Sequence, residues 1–168
     1  MDKTDLSRVL RDAMEAERNG FSFYTMASEQ SDDPGARETF ARLADEERKH
    51  HEALQTGYKA LAEGESWIPA SELPREGVRE ASGIFSEAFV RRISGKHLEM
   101  SALSIGILLE KNAYEFYSRQ AEAAEDQAVA TFFRELADWE NAHYQLLLRQ
   151  DEALKEEYWN QNRFSPLL

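Results

Sequence analysis

The chain has 168 residues, a formal net charge of -12, 42% hydrophobic and 31% charged residues, and no cysteine. This suits one ordered domain with a real core, excludes disulfides and thiolate-held metals, and argues against a phosphate-neutralising surface for nucleic acid. No apolar run approaches the roughly 20 residues that span a bilayer, and Met1-Asp2-Lys3-Thr4-Asp5 is not followed by the apolar stretch of a signal peptide, so a soluble cytoplasmic protein is expected.

The first predicted helix carries Leu6, Leu10, Ala13, Glu17, Phe21, Tyr24 and Ala27 at steps of three or four, which is one face of a helix. It stops at Ser31-Asp32-Asp33-Pro34-Gly35, where Asp33 can cap a second helix with Pro34 in its first turn. The second runs through Ala36, Phe40, Leu43, Glu47, His50, Leu54 and Leu61. Residues from about 64 to 95 are of another kind, with Trp67-Ile68-Pro69, Leu73-Pro74 and a candidate short amphipathic helix from Ser82 to Ile93. The third helix carries Leu103, Ile107, Glu110, Tyr117 and Ala121. Asp126 is placed to cap the fourth, which runs through Val129, Phe133, Leu136, Glu140, His143, Leu147 and Leu154 toward Tyr158 or Trp159.

A connection of about 30 residues far exceeds the usual two to eight between helices. It predicts a crossover that returns along the bundle and sets the second and third helices parallel. The expected fold is therefore all-α, a single domain over 1–168 with antiparallel hairpins at about 1–63 and 96–160 and a crossover at about 64–95.

An internal repeat gives this frame its chemistry. At an offset of 93 residues, Glu17 to Tyr24 returns without a gap as Glu110 to Tyr117. Phe40 to His50, with Glu47-x-x-His50, returns as Phe133 to His143, with Glu140-x-x-His143. Glu and His three apart on a helix project from one face, and here that face is apolar, because Leu43 and Leu54 flank the first pair and Leu136 and Leu147 the second. Unpaired carboxylates in a core cost several kcal/mol in effective terms, and no Lys or Arg lies on these stripes. Two divalent cations would cancel four carboxylates. Glu17, Glu47, His50, Glu110, Glu140 and His143 are thus candidate ligands of a two-metal site.

These motifs resemble the ferritin-like di-iron carboxylate proteins, a four-helix bundle in which two helices give one Glu each and two give Glu-x-x-His. Among them the chain is most similar to the rubrerythrin family, in a short form without the cysteine-bearing rubredoxin domain, and next to bacterioferritin-like sites. The resemblance covers nearly all of the chain outside the crossover and the tail. It implies that Glu47 and Glu140 bridge two iron ions, that Glu17 and Glu110 complete terminal positions, and that Tyr24 and Tyr117 donate hydrogen bonds near the site. Which His goes with which metal is left open. Manganese and zinc remain alternatives, since carboxylates and imidazoles accept all three.

The function implied is reduction of hydrogen peroxide or dioxygen, in an enzyme of the di-iron peroxidase or ferroxidase type. Iron handling and a non-catalytic metal-binding role are the alternatives. Without cysteines, electrons would come from a separate donor or a small reductant. Rubrerythrins tend to carry a further Glu three residues after the third-helix ligand; here that position is Ala113, which weakens the peroxidase reading. Glu46 precedes Glu47, whereas Trp139 precedes Glu140, so the two metals would differ if that residue supports the opposite His. His51 is turned away from the stripe, His97 begins the third helix, and Tyr58, Tyr114 and Tyr144 are read as packing rather than redox relays, with Tyr114 near enough to the stripe to be a candidate relay. Asn19 and Asn112, turned about 200° from their glutamates, are read as outer or interhelical residues, and Trp139 is read as an exposed residue that could mark an interface. Trp67, Phe85 and Phe89 in the crossover suggest a homodimer.

Overall fold

Apolar residues three and four apart produce four long helices: α1 Lys3–Gln30, α2 Pro34–Glu63, α3 His97–Ala123 and α4 Gln127–Asn162. This computed structural model describes residues 3–64 and 97–162. The expected helix from Ser82 to Ile93, and Trp67, Phe85 and Phe89 with it, lie outside the described residues. Among the described residues there is no strand, and no helix is long and apolar enough to cross a membrane.

Local chemistry fixes the helix ends where the sequence placed them. The Asp33 carboxylate accepts from Ala36 N at 2.9 Å, with Pro34 in the first turn of α2. Asp126 accepts from Ala128 N and Val129 N to start α4. Each bond satisfies a backbone donor that a helix start leaves open. α2 ends at Gly64, whose φ of 72° is the left-handed conformation that glycine adopts without a Cβ penalty.

Helices α1 and α2 pair as one antiparallel hairpin, α3 and α4 as another. Contacts between the hairpins set their relative direction. Tyr24 of α1 meets Glu110 of α3 while Glu17 meets Tyr117, so α1 and α3 run antiparallel. α2 and α3 are then parallel, so the end of α2 and the start of α3 lie at opposite ends of the bundle. Glu99, buried on α3, pins the other end by accepting from Asp32 N at 3.0 Å in the α1–α2 turn.

The core is divided into two apolar clusters. Tyr24, Phe40, Leu43, Leu103 and Leu147 build one. Leu10, Leu54, Tyr117, Phe133 and Leu136 build the other. Between them lies a layer of buried Glu and His.

Candidate metal centre

Helix register delivers the polar layer. Glu17 follows Leu10 and Ala13 on the buried stripe of α1, and Glu110 follows Leu103 and Gly106 on that of α3. Glu47 and His50 lie between Leu43 and Leu54 on α2, as Glu140 and His143 lie between Leu136 and Leu147 on α4. All six residues are buried, none more than 5% exposed. The structure brings together every residue singled out by the repeat.

They form two sets of potential ligands. Glu17, Glu47, His50 and Glu140 each bring one donor atom within 4.8 Å of the others, and so do Glu47, Glu110, Glu140 and His143. Glu47 and Glu140 belong to both sets. The association of the imidazoles, open in the sequence, is resolved here: His50 groups with Glu17, and His143 with Glu110.

In both imidazoles Nδ1 faces the carboxylates. His50 Nδ1 lies 2.9 Å from Glu140 Oε1 and 3.3 Å from Glu17 Oε2. His143 Nδ1 lies 3.4 Å from Glu110 Oε2, 3.8 Å from Glu140 Oε2 and 3.9 Å from Glu47 Oε1. Close as they are, Glu17 Oε2, Glu140 Oε1 and both Nδ1 atoms have no hydrogen-bond partner despite being buried. Such groups are rare unless something else satisfies them. Lone pairs from oxygen and nitrogen donors converging without mutual hydrogen bonds fit metal coordination, and the donor set suits iron, manganese or zinc.

The electrostatics of the metal-free layer point the same way. Burial and the neighbouring carboxylates hold the Glu47 and Glu140 carboxyls well above the usual carboxylate range. Burial would also raise Glu17 and Glu110, but His50 beside the first and His143 beside the second outweigh it and hold them low. Burial opposes charge on His143, yet Glu110, Glu46 and Glu140 overcome it and push that imidazole up to about 10. The layer therefore favours the protonated forms of the two shared glutamates and of His143, the places where a cation would compete with protons.

Tyr24 and Tyr117 order this layer from the sides. Tyr24 Oη donates to Glu110 Oε1, and Tyr117 Oη donates to Glu17 Oε1, so each reaches across to the other hairpin's glutamate. Each bond occupies one carboxylate oxygen and turns Oε2 toward the imidazole. Burial, then the adjacent carboxylates, raises both phenols well above 10, so they remain donors. Tyr24 stacks on Phe40 and Tyr117 on Phe133, with centroids 6.1 Å apart in both pairs.

Other expectations fare differently. Asn19 and Asn112 are exposed as read, and Tyr114 is an exposed residue rather than a packed one. His51 is half-buried, and His97 is the first residue of α3. Trp139 is not exposed: it packs against the second apolar cluster, with its ring centroid 4.9 Å from that of His50. Its place before Glu140 on the inner side of α4 accounts for the difference. Glu46, at the matching position of α2, hydrogen-bonds Nε2 of His143.

Gly20 was not legible as part of the site. A Cβ there would lie 3.0 Å from Glu47 Oε2, so with any other residue the shared carboxylate would have to give way by a few tenths of an ångström. A glycine inside a strongly periodic helix, costing about 1 kcal/mol against alanine, was the available signal. Gly20 and its repeat mate Ala113 line a cavity of about 420 Å³ between α1 and α3, which reaches Glu17, Glu47, Glu110 and Glu140.

Comparison with known proteins agrees with this geometry. A hypothetical protein from Pyrococcus furiosus has a solved structure similar to this one, with a TM-score of 0.65, 25% identity and 90% of each chain covered. No curated protein matches the chain. The family model described as Rubrerythrin matches residues 8–150, which takes in both hairpins and all six converging side chains. The chain therefore belongs to the rubrerythrin family.

Proposed function

We propose that this protein is a non-haem di-iron oxidoreductase that reduces hydrogen peroxide or dioxygen. The observation carrying the proposal is that two ligand sets share Glu47 and Glu140, the arrangement needed to hold two cations side by side. Glu17 with His50, and Glu110 with His143, would complete the two positions. Bound as a pair, ferrous ions would supply the two electrons that the oxidant takes up.

The rest of the work falls to the chain. Tyr24 and Tyr117 keep Glu110 and Glu17 oriented, each holding one oxygen and leaving the other for a cation. Burial and the neighbouring carboxylates favour the protonated forms of Glu47 and Glu140, so a cation would compete with protons there and bind more weakly as the pH falls. The flanking apolar clusters close the layer to water from both ends of the bundle. The cavity between α1 and α3 gives a small oxidant a route to the shared glutamates.

The reading includes an external electron donor, since the chain has no cysteine for a thiolate-bound iron, and a cytoplasmic setting. It also includes a homodimer, supported by the exposed Leu98, Ile105 and Leu108 on α3. A second reading, oxidation of iron for storage or transfer, is favoured by one feature: Ala113 adds no further carboxylate to the cavity. Stopped-flow mixing of anaerobically iron-loaded protein with peroxide and with dioxygen separates the two. Faster oxidation by peroxide, with two irons per chain, supports the peroxidase. Faster reaction with dioxygen that continues beyond two irons per chain makes it an iron-oxidising protein.

A further inference from the structure

Among the mismatches between the two halves, one falls on side chains that touch the imidazoles. Position 46 of α2 is Glu, and its repeat mate, position 139 of α4, is Trp. Each faces the histidine of the other hairpin. The Glu46 carboxylate hydrogen-bonds His143 Nε2, the ring nitrogen turned away from the glutamates. Trp139 lies against His50, ring to ring at 4.9 Å, and His50 Nε2 is buried without a hydrogen-bond partner. An indole cannot accept a hydrogen bond through nitrogen, so Trp139 gives His50 shape but no acceptor.

We infer that the two metal positions are unequal and that Glu46 is the positioning residue that makes the one at His143 the tighter. The inference rests on the two-metal reading above. A carboxylate on Nε2 keeps the proton there when a cation displaces the one on Nδ1, so the Nδ1 lone pair beside the glutamates is the one offered, and it is made more basic. Such outer partners typically change metal affinity by about 10- to 100-fold. Glu46 also adds a negative charge beside one position only. His50 has neither benefit, since no acceptor meets its Nε2. The Glu17–Glu47–His50–Glu140 position should therefore fill second and empty first.

Anaerobic titration of the full chain with cobalt(II), followed by calorimetry and visible absorption, tests this without reference to turnover. The expected result is two ions per chain, the first bound about 10-fold or more tightly than the second. In Glu46→Gln, the tight step should weaken toward the other, while the second step and the helical circular dichroism stay the same. Trp139→Glu should do the reverse and strengthen the weak step. Because that change removes a packed ring, Glu46→Gln carries the decision if Trp139→Glu does not fold. Two indistinguishable steps in the wild type, or equal weakening of both steps in Glu46→Gln, would overturn the inference and leave the two-metal reading standing. Fewer than two ions per chain in the wild type would overturn both.

Discussion

The middle of this bundle and its two ends are built on opposite terms. At the ends, Phe40, Leu43, Leu103 and Leu147 on one side and Leu54, Phe133 and Leu136 on the other are buried apolar residues that favour folding by leaving water. In the middle, four carboxylates and two imidazoles occupy the same helical stripes and are equally buried. Taking ionised groups from water costs several kcal/mol apiece in effective terms. The ends hold the fold together against a centre that strains it. That difference is what marks the centre as functional.

Replacing a residue of each kind should break the comparison most clearly. Phe133→Ala removes a fully buried ring from one end and should cost about 3–5 kcal/mol, read by chemical denaturation with or without metal. Glu47→Ala should act the other way in the metal-free protein. It removes a carboxyl whose charged form is disfavoured by burial and by Glu140, Glu17 and Glu110, so stability should hold or rise by about 1–4 kcal/mol. The same variant should lose both metals, since Glu47 belongs to both ligand sets. A Glu47→Ala protein that still binds two ions per chain would show that the shared glutamate is not a bridge.

Acidity sharpens the contrast. Glu47, Glu140 and His143 all have folded pKa values above their ordinary ones, His143 moving from 6.5 to about 10. The native metal-free state therefore binds more protons than the unfolded chain, and their contribution to stability is lost as the pH rises. For His143 it is fully present below 6.5 and fades between 6.5 and about 10. Glu17 and Glu110, held low, contribute the opposite slope, lost as the pH falls below the ordinary 4.5. The metal-free melting temperature should thus fall from pH 6.5 toward 10, and metal loading should remove most of that decline. A flat profile in the metal-free protein would contradict the account of the layer. The smallest effect belongs far from it: Asp33→Ala removes the cap of α2 and should cost about 1 kcal/mol without altering metal binding.

Much of this is legible in the sequence. The four helices follow from spacing alone, because an apolar stripe at steps of three and four has one way to bury itself. The six Glu and His residues were readable because the repeat shows them twice, each breaking a stripe that is otherwise apolar. What the sequence left open depends on approach between hairpins. Tyr24 serves Glu110 rather than a glutamate of its own hairpin, 86 residues away along the chain. The close passage of Gly20 by Glu47 has no local signature beyond a glycine in a helix. Trp139 reads as a surface aromatic beside Asp138 and Asn141, and only the crossing of α4 over α2 turns it toward His50. Such pairings come from the twist of one helix against another, which periodicity does not encode.

The most direct test of the central claim is a crystal structure of the iron-loaded protein with anomalous scattering recorded at the iron edge. The account predicts two peaks per chain, about 3.5–4 Å apart, both within bonding distance of Glu47 and Glu140, with His50 Nδ1 on one and His143 Nδ1 on the other. A single peak, or iron found only on surface carboxylates, would contradict it.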